Sequence, residues 1–136
     1  MIVGVDHIGV VVSSIKEAKK VYCDALGLPI EEMAPVAGRA VNIAFVMLGN
    51  TKIELVEPVD PQSRQAQFLA TRGEGINHIA LKVTNIEADL AALKAKGMPL
   101  VDETPRTASS GAKIAYLHPS GARGVSIELI QPKNPE

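Results

Sequence analysis

Two histidines and two glutamates recur at matching places along this chain, and together they form a ligand set for a divalent metal ion. His7 sits in Val5-Asp6-His7-Ile8-Gly9-Val10-Val11-Val12 and His78 in Ile76-Asn77-His78-Ile79-Ala80-Leu81-Lys82-Val83, two runs that align residue for residue. Glu54 in Ile53-Glu54-Leu55 and Glu128 in Ile127-Glu128-Leu129 form a second matched pair. Successive side chains of a strand point to opposite faces, so the apolar neighbours of these four residues face a core and the four polar side chains face the other way. Two carboxylates converging in an enclosed cup repel and lose hydration, at a cost of several kcal/mol each, unless a counter-charge is present. A divalent cation supplies it. Two imidazole nitrogens and two carboxylate oxygens suit Zn²⁺, Co²⁺, Mn²⁺, Fe²⁺ or Ni²⁺ better than Ca²⁺, which prefers oxygen alone, or Cu(I), which prefers sulfur. Four protein ligands on an octahedral ion leave two adjacent positions, the arrangement that chelates a bidentate substrate.

Read singly, each of these residues is more often a hydrogen-bonded histidine or a strand-edge charge than a ligand. The joint pattern carries the inference: one His in the first strand and one Glu in the last strand of each half, with the same parity. His118, in Leu117-His118-Pro119, has no counterpart in the repeat and reads as a structural or substrate-loop residue rather than a fifth ligand.

The elements that must position these residues also repeat. After the first His strand, Ser14-Ile15-Lys16-Glu17 reads as a capping box. Ile15, Ala18, Tyr22 and Ala25 fall on one helical face, and Gly27 is the stop. After the second, Asn85 caps a helix whose inner face holds Ile86, Leu90 and Leu93, with Gly97 just past its end. Strand signals follow at 41–48 and 51–56 in the first half, joined by a tight Gly49-Asn50 hairpin, and at 113–117 and 125–130 in the second. One more strand near 31–33 and near 100–102 makes each half βαβββ. A short helix around 63–70 closes the first half, and Gly73-Glu74-Gly75 joins the two. The expected fold is α+β: two tandem βαβββ modules, about 1–72 and 76–132, forming a curved, cup-like mixed sheet within a single domain spanning 1–136.

Composition narrows the function classes. The 136 residues are 46 % hydrophobic, enough for a core. Lys+Arg total 14 against 15 Asp+Glu, which gives no basic surface for nucleic acid, and 3 % aromatics without Trp supply no base-stacking platform. No apolar run approaches the roughly 20 residues that span a bilayer. The single cysteine, Cys23, cannot form an internal disulfide, which fits a reducing compartment and makes the cytoplasm the default. Exposed strand edges on two modules point to a homodimer.

With the repeat and the ligands in place, the sequence resembles the vicinal oxygen chelate superfamily and, within it, the methylmalonyl-CoA epimerase family. The resemblance covers nearly the whole chain. Its particular marks are Gly49-Asn50-Thr51-Lys52-Ile53-Glu54-Leu55 and Gly73-Glu74-Gly75-Ile76-Asn77-His78-Ile79-Ala80, with Leu117-His118-Pro119 ahead of Val125-Ser126-Ile127-Glu128-Leu129. The resemblance implies an enzyme that interconverts (2R)- and (2S)-methylmalonyl-CoA by removing the α-proton, through a metal-stabilised enolate, with Co²⁺ or Mn²⁺ favoured and Zn²⁺, Ni²⁺ or Fe²⁺ possible. It also implies that Glu128 is both a ligand and one acid/base group. Many family members carry a further glutamate in the hairpin before 41–48; Met33-Ala34-Pro35-Val36-Ala37-Gly38-Arg39-Ala40 contains none, and Glu31 and Glu32 reach that role only by a shift of register. An acyl-CoA thioester brings phosphates, for which Arg106, Lys113 and Arg123 are candidates. Ser109-Ser110-Gly111 offers backbone N–H groups to the substrate carboxylate.

Two other readings stand beside this one. A glyoxalase-type lyase acting on a glutathione hemithioacetal would use the same four ligands, and a metal-free module that sequesters a small molecule would have no need of them. A ring-cleaving dioxygenase wants two His and one carboxylate, and the fourth ligand counts against it.

Overall fold

The computed structural model describes residues 1–34, 38–108 and 110–134. Pro35, Val36 and Ala37 of the glutamate-free hairpin, and Ser109 of the candidate carboxylate-binding turn, lie outside the described residues. The chain divides into two compact units, His7–Asn77 on the one hand and His78–Glu136 together with Met1–Asp6 on the other. The expected α+β class is what the chain adopts.

In the first unit the second half of β1 (Ile2–Val11) leads into α1 (Ile15–Lys19), which continues as a π-helical turn over Lys20–Ala25. Then come β2 (Ile30–Glu32), β3 (Val41–Leu48), β4 (Thr51–Pro58) and α2 (Arg64–Arg72). The strand order is β2-β3-β4-β1, with β1 parallel to β4 and the other pairs antiparallel. Ser14 caps α1 by accepting from the Glu17 N–H at 3.1 Å, the first half of the expected capping box. Val10, Val12, Ala44, Val46 and Leu55 meet Ile15, Ala18 and Tyr22 in one core. Ala25, expected on the same face, is exposed, because the wider i→i+5 turn rotates it away.

The second unit takes β5 (Gly75–Val83) from His78 onward, and with α3 (Ile86–Ala95), β6 (Arg106–Thr107), β7 (Lys113–Tyr116) and β8 (Ile127–Gln131) it repeats the plan. The order is β5-β8-β7-β6, with β5 parallel to β8. The first half of β1 runs beside β5 in this unit, and the Thr84 N–H donates to the Met1 carbonyl at 3.1 Å. Asn85 caps α3, and Ile86 and Leu90 are buried against Val83, Ala115, Leu117 and Leu129. The strand expected at 100–102 is reduced to one bridge, Leu100 to Leu117. Beyond it the Asp102 carboxylate accepts the Tyr116 N–H at 2.9 Å, so a side chain takes the place of a ladder carbonyl and pairing resumes only at β6.

A side chain three residues beyond each candidate glutamate ties that unit's helix to its last strand. Glu57 accepts from the Ile15 N–H at 3.3 Å, and Gln131 accepts from the Ile86 N–H at 2.9 Å. Each bond satisfies one of the orphan donors of a helix N-terminus. No helix among the described residues is long and apolar enough to cross a membrane.

Candidate functional site

The core assigns the faces. Ile8 and Val10 of β1, Val12 just past its end, and Ile53 and Leu55 of β4 pack toward α1, so His7 and Glu54 point away from it. Leu81 and Val83 of β5 and Ile127 and Leu129 of β8 pack toward α3, so His78 and Glu128 do the same in their unit. The parity expected from the sequence therefore holds in each unit.

Within the first unit His7 Nε2 lies 3.7 Å from Glu54 Oε1, with the histidine side chain 6 % and the glutamate side chain 16 % exposed. Within the second unit His78 Nε2 lies 3.3 Å from Glu128 Oε1, both side chains nearly sealed from solvent. A direct charge-assisted hydrogen bond would close to about 2.7–2.9 Å, so both pairs are held wider than that. Ligand atoms about 2.0–2.2 Å from one ion, at neighbouring positions of its shell, stand roughly 3–3.5 Å apart. The second pair has that spacing and the first exceeds it by a few tenths of an ångström. Nitrogen and carboxylate donors at such separations fit a borderline divalent cation.

The two pairs differ in what surrounds the glutamate. Tyr116 lies directly across the β7–β8 ladder from Glu128, and its hydroxyl donates to Glu128 Oε1 at 3.0 Å. The Tyr116 ring meets the His78 ring edge-on, with centroids 5.8 Å apart. Phe45 lies across the β3–β4 ladder from Glu54 and has no hydroxyl to offer; Lys52 Nζ sits 4.9 Å from the centre of its ring. Tyr116 was not among the residues singled out from the sequence. The signal was there, since Ala44-Phe45-Val46 and Ala115-Tyr116-Leu117 are aligned by the repeat.

Register also separates Glu31 from Glu32. Glu31 pairs with Phe45, which pairs with Glu54, so Glu31 shares the face of Glu54. Glu32 pairs with Ala44 of the core and turns the other way, where its carboxylate meets Lys19 Nζ at 3.5 Å. The Glu31 side chain is exposed and makes no hydrogen bond or ion pair among the described residues.

The remaining candidates sort by their partners. His118 Nδ1 accepts the Ser120 N–H at 3.1 Å and caps the turn Pro119–Ala122, a structural role. Lys113 is paired with Glu87 at 2.6 Å, and Arg106 with Asp102 at 3.2 Å. Arg123, at φ 58°, has no ion-pair partner among the described residues.

Residues 6–116 match the Glyoxalase/Bleomycin resistance protein/Dioxygenase superfamily. An uncharacterized protein of Bacillus subtilis, YqjC, is 39 % identical over 94 % of this chain and 91 % of its own length. The mitochondrial methylmalonyl-CoA epimerase of Bos taurus is 34 % identical over 93 % of this chain and 73 % of its own length. A solved methylmalonyl-CoA epimerase in complex with methylmalonyl-CoA and NH4+ superposes with a TM-score of 0.90 at 27 % identity, covering 100 % of this chain and 99 % of that one.

Proposed function

Since the chain belongs to the glyoxalase/bleomycin resistance protein/dioxygenase superfamily and, within it, to the methylmalonyl-CoA epimerase family, we propose that it interconverts (2R)- and (2S)-methylmalonyl-CoA. The observation that carries this reading is the pair of His–Glu couples, one per unit, each turned away from its helix and spaced wider than a direct hydrogen bond. In this reading the two units act as one domain over residues 1–136, and His7, Glu54, His78 and Glu128 hold one divalent cation, two ligands from each. The bound cation supplies positive charge where negative charge develops on the thioester oxygen.

The chain's own residues do the rest. The Glu128 carboxylate takes the α-proton: the C–H bond breaks, its electron pair moves into the carbon skeleton as the thioester carbonyl becomes an enolate, and the proton ends on the glutamate. Inversion requires a proton donor on the opposite face of the planar carbon. We assign that role to Glu31, the carboxylate that register turns to the face of Glu54. The donor O–H breaks as the new C–H bond forms, and the reverse reaction exchanges the two roles. Of the three cations considered, Arg123 is the one without an ion-pair partner among the described residues, and its fork of N–H donors matches the oxygens of a CoA phosphate.

The test is to incubate the Co²⁺-loaded protein with (2R)-methylmalonyl-CoA in D₂O and follow deuterium at the α-carbon and conversion to the 2S form by NMR, beside Glu128→Ala and a chelated sample. Metal-dependent exchange with inversion, lost in Glu128→Ala, is the expected result. Bound metal with no exchange at all would overturn the epimerase reading and make a glutathione hemithioacetal the next substrate to assay.

A further inference from the structure

We propose that Tyr116 is a positioning residue that fixes the orientation of Glu128 and so makes the two glutamates of the repeat chemically unequal. The inference rests on the epimerase reading, in which Glu128 both holds the cation and moves a proton. A carboxylate that must do both cannot rotate freely. The terminal torsion of a glutamate is broad and roughly two-fold, so nothing intrinsic to the side chain selects which oxygen faces which partner. In this fold two contacts converge on the same oxygen: the Tyr116 hydroxyl at 3.0 Å and His78 Nε2 at 3.3 Å both address Oε1.

The hydroxyl is itself held in place. Tyr116 and Glu128 are direct cross-strand partners, the Tyr116 ring stands edge-on to His78, and the Tyr116 N–H is bound by Asp102. Arg106, paired with the same Asp102, stands 6.0 Å from the centre of the Tyr116 ring on the strand beyond. A phenol adds one donor without adding charge, so it orients the carboxylate while leaving the pair's net charge for a cation to balance. Groups that hydrogen-bond a ligating carboxylate in this way set its orientation, and their loss typically lowers metal affinity about 10–100-fold. Phe45 supplies the comparison within the same molecule: it holds the same ladder position opposite Glu54 and carries a ring without a hydroxyl.

Tyr116→Phe removes the hydroxyl and keeps the ring. Three readings of wild type and Tyr116→Phe decide the matter: Co²⁺ affinity by titration of the visible d–d absorption without substrate, kcat and KM for α-deuterium exchange, and the thermal midpoint of the metal-free protein. We expect Co²⁺ to bind roughly 10-fold or more weakly in Tyr116→Phe, and kcat at saturating metal to fall by a similar factor with KM unchanged. A variant with wild-type Co²⁺ affinity and wild-type kcat, whatever its thermal midpoint, overturns the positioning role and leaves Tyr116 a packing residue. A wild-type protein that takes up no Co²⁺ overturns the metal reading beneath it, and the proposal with it.

Discussion

Phe45 and Tyr116 hold the same register position in the two units, each directly across an antiparallel ladder from the glutamate beside its unit's histidine. The repeat thus preserves the geometry of the position and changes one atom of its chemistry. What the fold duplicates is the ligand pair. What it does not duplicate is the hydroxyl on the second glutamate.

If the two His–Glu pairs share a cation, metal must stabilise the folded chain. A ligand at 100 times its dissociation constant contributes about 2.7 kcal/mol. Addition of Co²⁺ to the metal-free protein is expected to raise its thermal midpoint, and excess chelator to reverse the rise. His78→Ala is expected to unfold at the same temperature with and without Co²⁺. Differential scanning fluorimetry across a metal titration reads both.

Glu31 and Glu32 are sequence neighbours with opposite fates in β2, and exchange their consequences on substitution. Glu31→Gln is expected to lose inversion at least 100-fold, the scale of one acid/base group, while α-deuterium still enters one enantiomer. Glu32→Gln is expected to leave both rates within a factor of two or so, since its carboxylate faces Lys19 at the surface. Full inversion in Glu31→Gln would remove it from the mechanism.

Leu55 and Leu129 flank the two glutamates and are buried to 0 % and 1 % exposure. Truncation of either to Ala is expected to cost about 2–5 kcal/mol in urea unfolding, through lost burial and the cavity left behind. The same change at exposed Val59 or Val101 is expected to fall within about 0.5 kcal/mol of wild type.

Glu74 links pH to stability at the join between the two repeats. The backbone N–H of Ser13 at 2.9 Å and its hydroxyl at 3.1 Å both donate to Glu74 Oε2 and hold this carboxyl below the usual carboxylate range. A group whose pKa is lower folded than unfolded stabilises the fold above its unfolded pKa, and that contribution disappears as pH falls through the folded value. The acid side of the stability profile, between about pH 5 and pH 3, is therefore expected to be shallower in Glu74→Gln than in wild type. Urea midpoints measured across that window check it; identical slopes would show that Glu74 titrates alike in the folded and the unfolded chain.

Much of this arrangement is legible in the sequence because it is local. Strand parity places His7, Glu54, His78 and Glu128 opposite the core, and Ser14 and Asn85 announce their helices by residue type alone. Tyr116 is harder, because its role depends on the register of β7 against β8 across the Pro119–Ala122 turn, which no local pattern fixes. Glu31 and Glu32 raise the same difficulty in a sharper form, since a slip of one residue in β2 would exchange their faces. The strand expected at 100–102 fails for a third reason: Asp102 gives its side chain to the backbone of Tyr116, a competition between side chain and ladder that composition does not reveal.

The division of β1 between the two units bears on how the chain is made. A ribosome releases Met1–Asp6 before His7–Asn77, yet the unit that takes up this half-strand otherwise begins at His78. During synthesis of everything between, the nascent first unit can pair His7–Val11 with β4 while the preceding half of the same strand still awaits its neighbour. Closing so long a loop costs only a slowly growing entropy, so the delay weighs on the rate of folding far more than on its final stability. A chain severed after Asn77 would keep α1, α2, its hairpin and one His–Glu couple, and would carry half of its first strand without the partner that completes it.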